Sequence, residues 1–350
     1  MSLYPPSHRE HASGKKSLED SSSTPVERIV TTLPSATEIV CLLGLEDKLV
    51  GITHECDYPA TVRAKPVVMR SVFDATKMTS KEIDDEVISR VTRGQSIYEI
   101  DETLLRSLKP DLIITQELCE VCATPLREVA KVISSINSPR PRTLSLTPHN
   151  LEDVIEDILR VGDATGSSAR AIQVAGTLSE RVKRVRDKCE ALPEKEKPRV
   201  FCLEWLDPIY NSGHWMPELV KYAGGVEALG SLGEPSRAVA WDEVLHVDPE
   251  VLFVTVCGYD VGRTLNEIAT LTSREGWNEL NAVKKGRVYV LDSPSYFSRS
   301  GPRLVDGLEI LAYLLHPELF TGYQLPELSA YDLAERRFIS GNPKNPNSGK

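Results

Sequence analysis

Four stretches of the chain share one design: an apolar, strand-like run leads at once into thiol, imidazole, carboxylate or aromatic side chains. Leu49-Val50-Gly51-Ile52 runs into His54, Glu55, Cys56, Asp57 and Tyr58, and Leu112-Ile113-Ile114 into Gln116, Glu117, Cys119, Glu120 and Cys122. In the second half, Val200-Phe201-Cys202-Leu203 runs into Glu204 and Trp205, and Leu252-Phe253-Val254 into Cys257, Tyr259 and Asp260. In parallel α/β sheets ligands bind beyond the carboxyl ends of the strands, so polar groups placed there repeatedly outline a site. Two clusters fall in each half, which predicts one cleft between two lobes.

Several chemistries are open to these residues. Cys56, Cys119 and Cys122, with His54 beside them, are ligands that zinc or an iron–sulfur cluster accepts. The Cys119/Cys122 pair also permits dithiol–disulfide exchange, and ordinary thiols packed under the cleft are the simplest alternative. His214, between Gly213 and Trp215, offers a neutral imidazole nitrogen to a metal centre or a hydrogen bond to its own loop. Trp205, Tyr210, Trp215, Tyr259, Tyr296 and Phe297 gather after the second-half strands although aromatics are only 6% of the chain. Their faces suit a large, flat ligand. Glu204 and Asp207 either receive amide donors or cap turns. Glu204, His214 and Asp260 around a cysteine-held metal would make a metal-dependent hydrolase. No nucleophile–base spacing, phosphate loop, dinucleotide fingerprint or Gly-x-Ser-x-Gly elbow accompanies them, so binding rather than catalysis is expected.

The elements that must position these groups alternate strand and helix, the pattern of parallel sheets with crossover helices. Leu108-Lys109-Pro110-Asp111-Leu112-Ile113-Ile114 matches Val247-Asp248-Pro249-Glu250-Val251-Leu252-Phe253, so each half repeats a helix, a Pro-acid turn and a strand. Between them Ala171, Ala175, Leu178, Val182, Val185, Cys189 and Leu192 recur in steps of four and three, the apolar stripe of one long helix. The predicted division is a tail at 1–27, an N-terminal lobe at 28–165, a linking helix at 166–194, a C-terminal lobe at 195–328 and a second tail at 329–350. A charged insertion, 71–101, is expected to form a helix covering part of the N-terminal lobe.

A length of 350 residues and 41% hydrophobic content allow two real cores. No run approaches the roughly 20 apolar residues of a membrane span. The net charge of −10, with no clustered basic face, argues against a nucleic-acid partner. The polar, Ser-rich stretch Met1 to Val26 lacks the apolar run of a secretory leader, so a cytoplasmic placement is expected, with the seven cysteines as reduced thiols. Cys41, Cys189 and Cys202 lie in apolar patterns and read as small buried hydrophobes.

Several phrases, in order, resemble the class III substrate-binding proteins. They are Arg28-Ile29-Val30-Thr31-Thr32-Leu33-Pro34-Ser35-Ala36-Thr37-Glu38, the stretch 108–115, the long central helix, Ala240-Trp241-Asp242-Glu243-Val244-Leu245 and Ser300-Gly301-Pro302-Arg303. Those proteins serve importers of cobalamin, haem and ferric siderophores. Within the family, His54 to Pro59, the Cys119/Cys122 segment and Ser212-Gly213-His214-Trp215 look most like the cobalamin-binding branch. The resemblance implies two Rossmann-like lobes with parallel sheets joined by one long backbone helix. It also implies a cobalamin-like corrinoid or related metal chelate in the cleft, touched by Ser35, His54, Tyr58, Glu204, Trp205, His214, Trp215, Tyr259, Tyr296 and Phe297. Direct binding of zinc or iron by the cysteines is the alternative. Family members present acidic residues to a membrane permease, and Glu102, Asp242 and Glu243 are the nearest candidates here.

Overall fold

A computed structural model describes residues 25–116, 132 and 140–339. Two sheets form the framework. The first has the order β4-β3-β2-β1-β5-β6, with β1 Ile29–Thr31, β2 Leu49–Thr53, β3 Val67–Ser71, β4 Tyr98–Ile100, β5 Leu112–Gln116 and β6 Arg142–Leu146. Its pairs are parallel except β3 with β4 at the edge. The second contains β7 Arg199–Trp205, β8 Tyr210–Asn211, β9 Val226–Glu227, β10 Val251–Val254, β11 Val288–Leu291, β12 Ala330–Asp332 and β13 Arg337–Phe338. Here β7, β10, β11 and β9 make parallel pairs, while β8, β12 and β13 add antiparallel edges.

The predicted internal repeat has a physical basis. Lys109 and Asp248 each end a helix with φ of 44° and 43°, a left-handed turn that reverses the chain into the next strand. The acid that follows then ties that strand to the first strand of its own lobe. The amides of Glu27 and Arg28 donate to Asp111 Oδ2, both at 2.9 Å, and the Arg199 amide donates to Glu250 Oε2 at 3.2 Å.

The long helix spans Ser168–Glu190 and buries Ala171, Val174, Ala175, Leu178, Val182, Val185 and Cys189. It follows the helix Leu151–Thr165, which Gly166 closes at φ 74°. One continuous apolar core runs from β1 and β2 through this helix to β7, β10 and the final helix Leu304–Leu315. Arg181 on the long helix bonds Asp306 and Glu309 of that final helix.

Two expectations about segments need correction. Residues 329–350 were expected to be a tail, yet β12 extends the second sheet antiparallel to β11 and β13 follows it. Ala330 is fully buried there, so sheet pairing orders a stretch whose composition reads as loop. The insertion 71–101 does contain a helix, Ser80–Thr92, started by Thr79 and Glu82 in a capping box. Among the described residues, the core contacts of that helix reach the second lobe. Ile83 joins the core formed by Phe201, Leu203, Leu206 and Ile209 there, a burial worth roughly 1.5–3 kcal/mol.

Candidate functional site

A cavity of about 1050 Å³ lies between the lobes. The first lobe contributes the start of the helix Pro34–Leu42, the end of β2 with the turn after it, and the end of β5. The second contributes the ends of β7 and β10, the loop 212–216 and the segment 292–300. These are carboxyl ends of strands, the place where parallel topology opens a crevice.

Ser35, His54, Cys56, Glu204, His214, Trp215 and Phe297 line the cavity. Trp215 and Phe297 do so from within the packing: they are 6% and 2% exposed, and Trp215 Nε1 donates to the Phe297 carbonyl at 2.7 Å. His214 stands at φ 53°, unusual for a residue with a side chain. Its amide donates to the Glu234 carbonyl at 2.7 Å, and its carbonyl accepts from the Gly233 amide at 3.1 Å. The preceding glycine is required by close approach, since a Cβ on Gly213 would fall 2.3 Å from the Ser236 nitrogen. Burial, and secondarily the neighbouring His149, hold the His214 imidazole below its ordinary pKa. Its Nδ1 is buried without a hydrogen-bond partner among the described residues. A neutral, partly unsatisfied imidazole of this kind fits the role of ligand to a chelated metal or acceptor from a ligand donor.

The carboxylates of the second lobe are similarly muted. Burial raises Glu204 above the ordinary range, against hydrogen bonds from the Ser236 hydroxyl at 3.0 Å and the Gly213 amide at 3.4 Å. Burial also raises Asp292, which caps the short helix Ser293–Tyr296. Two cavity arginines are already engaged. Arg299 holds Asp57 at 2.5 Å and the Glu55 carbonyl at 2.8 Å; Arg263 holds the carbonyls of Ala75 and Met78. Serine and threonine hydroxyls fill much of the remaining wall, among them Thr53, Ser212, Thr255, Ser293 and Ser300.

Four of the aromatic residues expected in the site lie elsewhere. Trp205 points away from the cavity and donates from Nε1 to the Ser80 carbonyl at 3.1 Å. Tyr259 is 3% exposed, edge-on to Trp205 at 5.5 Å and beneath the Arg263 guanidinium at 4.1 Å. Tyr58 is 51% exposed and stacks under Arg303, and Tyr296 lies near the same guanidinium. The reason for Trp205 is strand geometry. Glu204 and Trp205 are successive residues of β7, so their side chains leave opposite faces of the sheet. That alternation is a sequence signal that separates them.

The cysteine reading is also redrawn. The Cys56 thiol is 4% exposed and shares hydrogen bonds with the hydroxyls of Thr37 at 3.0 Å and Thr53 at 3.7 Å. Burial raises its pKa, and the two hydroxyls engage the sulfur as a packed thiol. Cys119 and Cys122 lie outside the described residues. Among the described residues no three His, Cys, Asp or Glu side chains come together as a metal site. Arg263, Arg299, Thr255 and Asp292 are cavity residues that sequence reasoning passed over. Thr255 and Asp292 directly follow β10 and β11, the strand-end position that marks the other site residues, and Arg299 stands beside Ser300 to Arg303.

Two α/β lobes around a ligand-sized cavity define a solute-binding protein in which the ligand sits between the lobes. The family described as periplasmic binding protein matches residues 29–295, and the chain belongs to it. An uncharacterized ABC transporter substrate-binding lipoprotein of Bacillus subtilis (strain 168) is 27% identical over 300 residues, covering 84% of this chain and 81% of the relative. A vitamin B12-binding protein of Vibrio cholerae is 26% identical over 299 residues, covering 83% and 90%. Among solved structures, the periplasmic vitamin B12 binding protein of Vibrio cholerae matches with a TM-score of 0.61 at 23% identity, covering 84% of this chain and 98% of that one. A periplasmic heme binding protein of Pseudomonas aeruginosa matches at 0.62 and 20%, covering 83% and 93%. These structural likenesses establish the fold.

The comparisons overturn the cytoplasmic placement. The family is described as periplasmic binding protein, and the Bacillus subtilis relative is a lipoprotein. The polar composition of residues 1–26 had pointed the other way. Among the described residues no helix is long and apolar enough to cross a membrane.

Proposed function

We propose that the protein binds a cobalamin-like corrinoid, or a closely related metal chelate, in the interlobe cavity and delivers it to a membrane importer. The observation that carries this reading is the cavity itself: about 1050 Å³, just above the roughly 300–1,000 Å³ of small-molecule pockets, with His214 in its wall. A corrinoid presents many amide groups. Buried hydroxyls and the carboxyls of Glu204 and Asp292 are suited to receive them, while Arg263 and Arg299 are occupied by protein partners. Relatives named for vitamin B12 support the same ligand class. For the importer, Asp242 is an exposed acidic candidate, whereas Glu102 pairs with Arg106 at 3.3 Å and Glu243 with Arg237 at 2.9 Å.

Titration of purified protein with cyanocobalamin, with haemin and with a ferric siderophore, followed by absorption and calorimetry, tests the reading. One-to-one binding of cyanocobalamin is expected, weakened about tenfold (about 1.4 kcal/mol) in His214→Ala. Saturation by haemin or the ferric chelate without cyanocobalamin binding would reassign the ligand. Stoichiometric zinc or iron without a chromophore would favour the cysteines instead.

A further inference from the structure

The edge of the first sheet sends out one long excursion. β3 ends at Ser71 and β4 returns antiparallel beside it, with Ser71 opposite Tyr98. The residues between, 72–97, cross to the other lobe. Phe73, Ala75, Met78 and Val87 pack with the buried Ile83 against the second lobe's own core. Four hydrogen bonds fasten the crossing. The Ser80 carbonyl accepts from Trp205 Nε1 at 3.1 Å, and the Ser80 amide donates to Glu267 Oε2 at 2.7 Å. Arg263 Nη2 donates to the carbonyls of Ala75 and Met78 at 2.7 and 2.8 Å. Thr76 within the excursion and Tyr98 at its return both line the cavity.

A segment tied at both ends to one lobe and docked on the other means that the lobes cannot part around the cavity without undoing these contacts. We propose that residues 72–97 are a clasp that holds the lobes together over the cavity and sets the rate at which bound ligand leaves. The long helix fixes the connection between the lobes, and the clasp controls how far they separate. The inference concerns the cavity as a binding site and depends on the corrinoid reading only through the ligand used as probe.

The test is the double variant Ile83→Ala, Glu267→Ala, since neither residue lines the cavity. Hydrogen exchange of the ligand-free protein is expected to show amides of 75–83 protected in the wild type. In the variant they should exchange at least about tenfold faster while β1 and β10 keep their protection, the sign of local release in an intact fold. Small-angle scattering should show a larger radius of gyration, and cyanocobalamin should leave about tenfold faster. Released amides with an unchanged radius and an unchanged dissociation rate would overturn the clasp, as would a wild-type strap that exchanges like unfolded chain. If wild-type protein does not bind cyanocobalamin, the ligand reading fails and exchange with scattering decide the clasp alone. Should β1 and β10 also lose protection, Glu267→Gln replaces the double variant. It should speed exchange of the Ser80 amide at least about twofold, and no change there would count against the proposal.

Discussion

The two lobes meet through two crossings built of different materials. In one, Arg299 and Arg303 of the second lobe reach Asp57 and Glu38 of the first, with Arg303 forked onto the Glu38 carboxylate at 2.9 and 2.6 Å. Glu38 is 4% exposed and both arginines 14%, while Asp57 at 37% sits at the rim. Burial lifts the Glu38 pKa even with Arg303 against it. In the other, the strap 72–97 lies on the second lobe through main-chain carbonyls, one glutamate and a set of apolar side chains, of which Ile83 is buried. A buried ion pair fails abruptly, because removing one partner strands the other charge. A docked strap yields in parts, since its hold is divided among four hydrogen bonds and several apolar contacts.

Replacing Arg303 by Ala gives the largest expected effect. Glu38 would remain buried without its forked partner, and unfolding by denaturant should report a loss of about 3–5 kcal/mol. A loss under about 1 kcal/mol would show that the two crossings do not differ as described.

A second effect belongs to neither crossing and must be subtracted before the pH response of Glu38 can be read. Burial pushes Glu227 up to about 7, against hydrogen bonds from the Leu229 and Gly230 amides. An acid with a raised folded pKa binds more protons folded than unfolded across that gap. Stability is therefore expected to fall as pH rises from about 4.5 to about 7, by up to ~3 kcal/mol. Glu227→Gln should remove that slope, and melting temperatures measured across the window check it. A slope identical to wild type would assign the pH response to other groups.

The smallest effect tests the strap side. Trp205→Phe loses the hydrogen bond to Ser80 and should cost about 1 kcal/mol in denaturant unfolding. Because Trp205 does not line the cavity, its affinity for cyanocobalamin should stay within a factor of about two of wild type, under about 0.5 kcal/mol. A large drop in affinity with an unchanged rate of cyanocobalamin release would return Trp205 to the site and dissolve the contrast.

Much of this architecture is legible in the residues. The matched phrases at 108–114 and 247–253 resolve into the same left-handed turn and acid anchor in each lobe. The stripe from Ala171 to Cys189 becomes the buried face of Ser168–Glu190. Each is a local pattern read against a fixed period. The site was legible where a residue follows a strand end and faces the cavity, as Glu204 and His214 do. The same strand-end rule misplaced Trp205 and Tyr259, because position after a strand does not say which way a side chain faces: Trp205 donates to the strap from Nε1, and Tyr259 supports the Arg263 guanidinium that holds it.

The order of residues by itself determined two α/β halves, the long helix that joins them and the strand ends from which a cavity is built. Periodicity and turn chemistry act over a few residues, and they carry that information wherever the segment is placed. Only the tertiary structure decided that 72–97 docks on the opposite lobe, that Cys56 is held by two threonine hydroxyls, and that Arg299 and Arg303 meet Asp57 and Glu38. Those outcomes depend on which surfaces come within a few ångströms across separations such as that from Asp57 to Arg299. No local period encodes a contact of that kind.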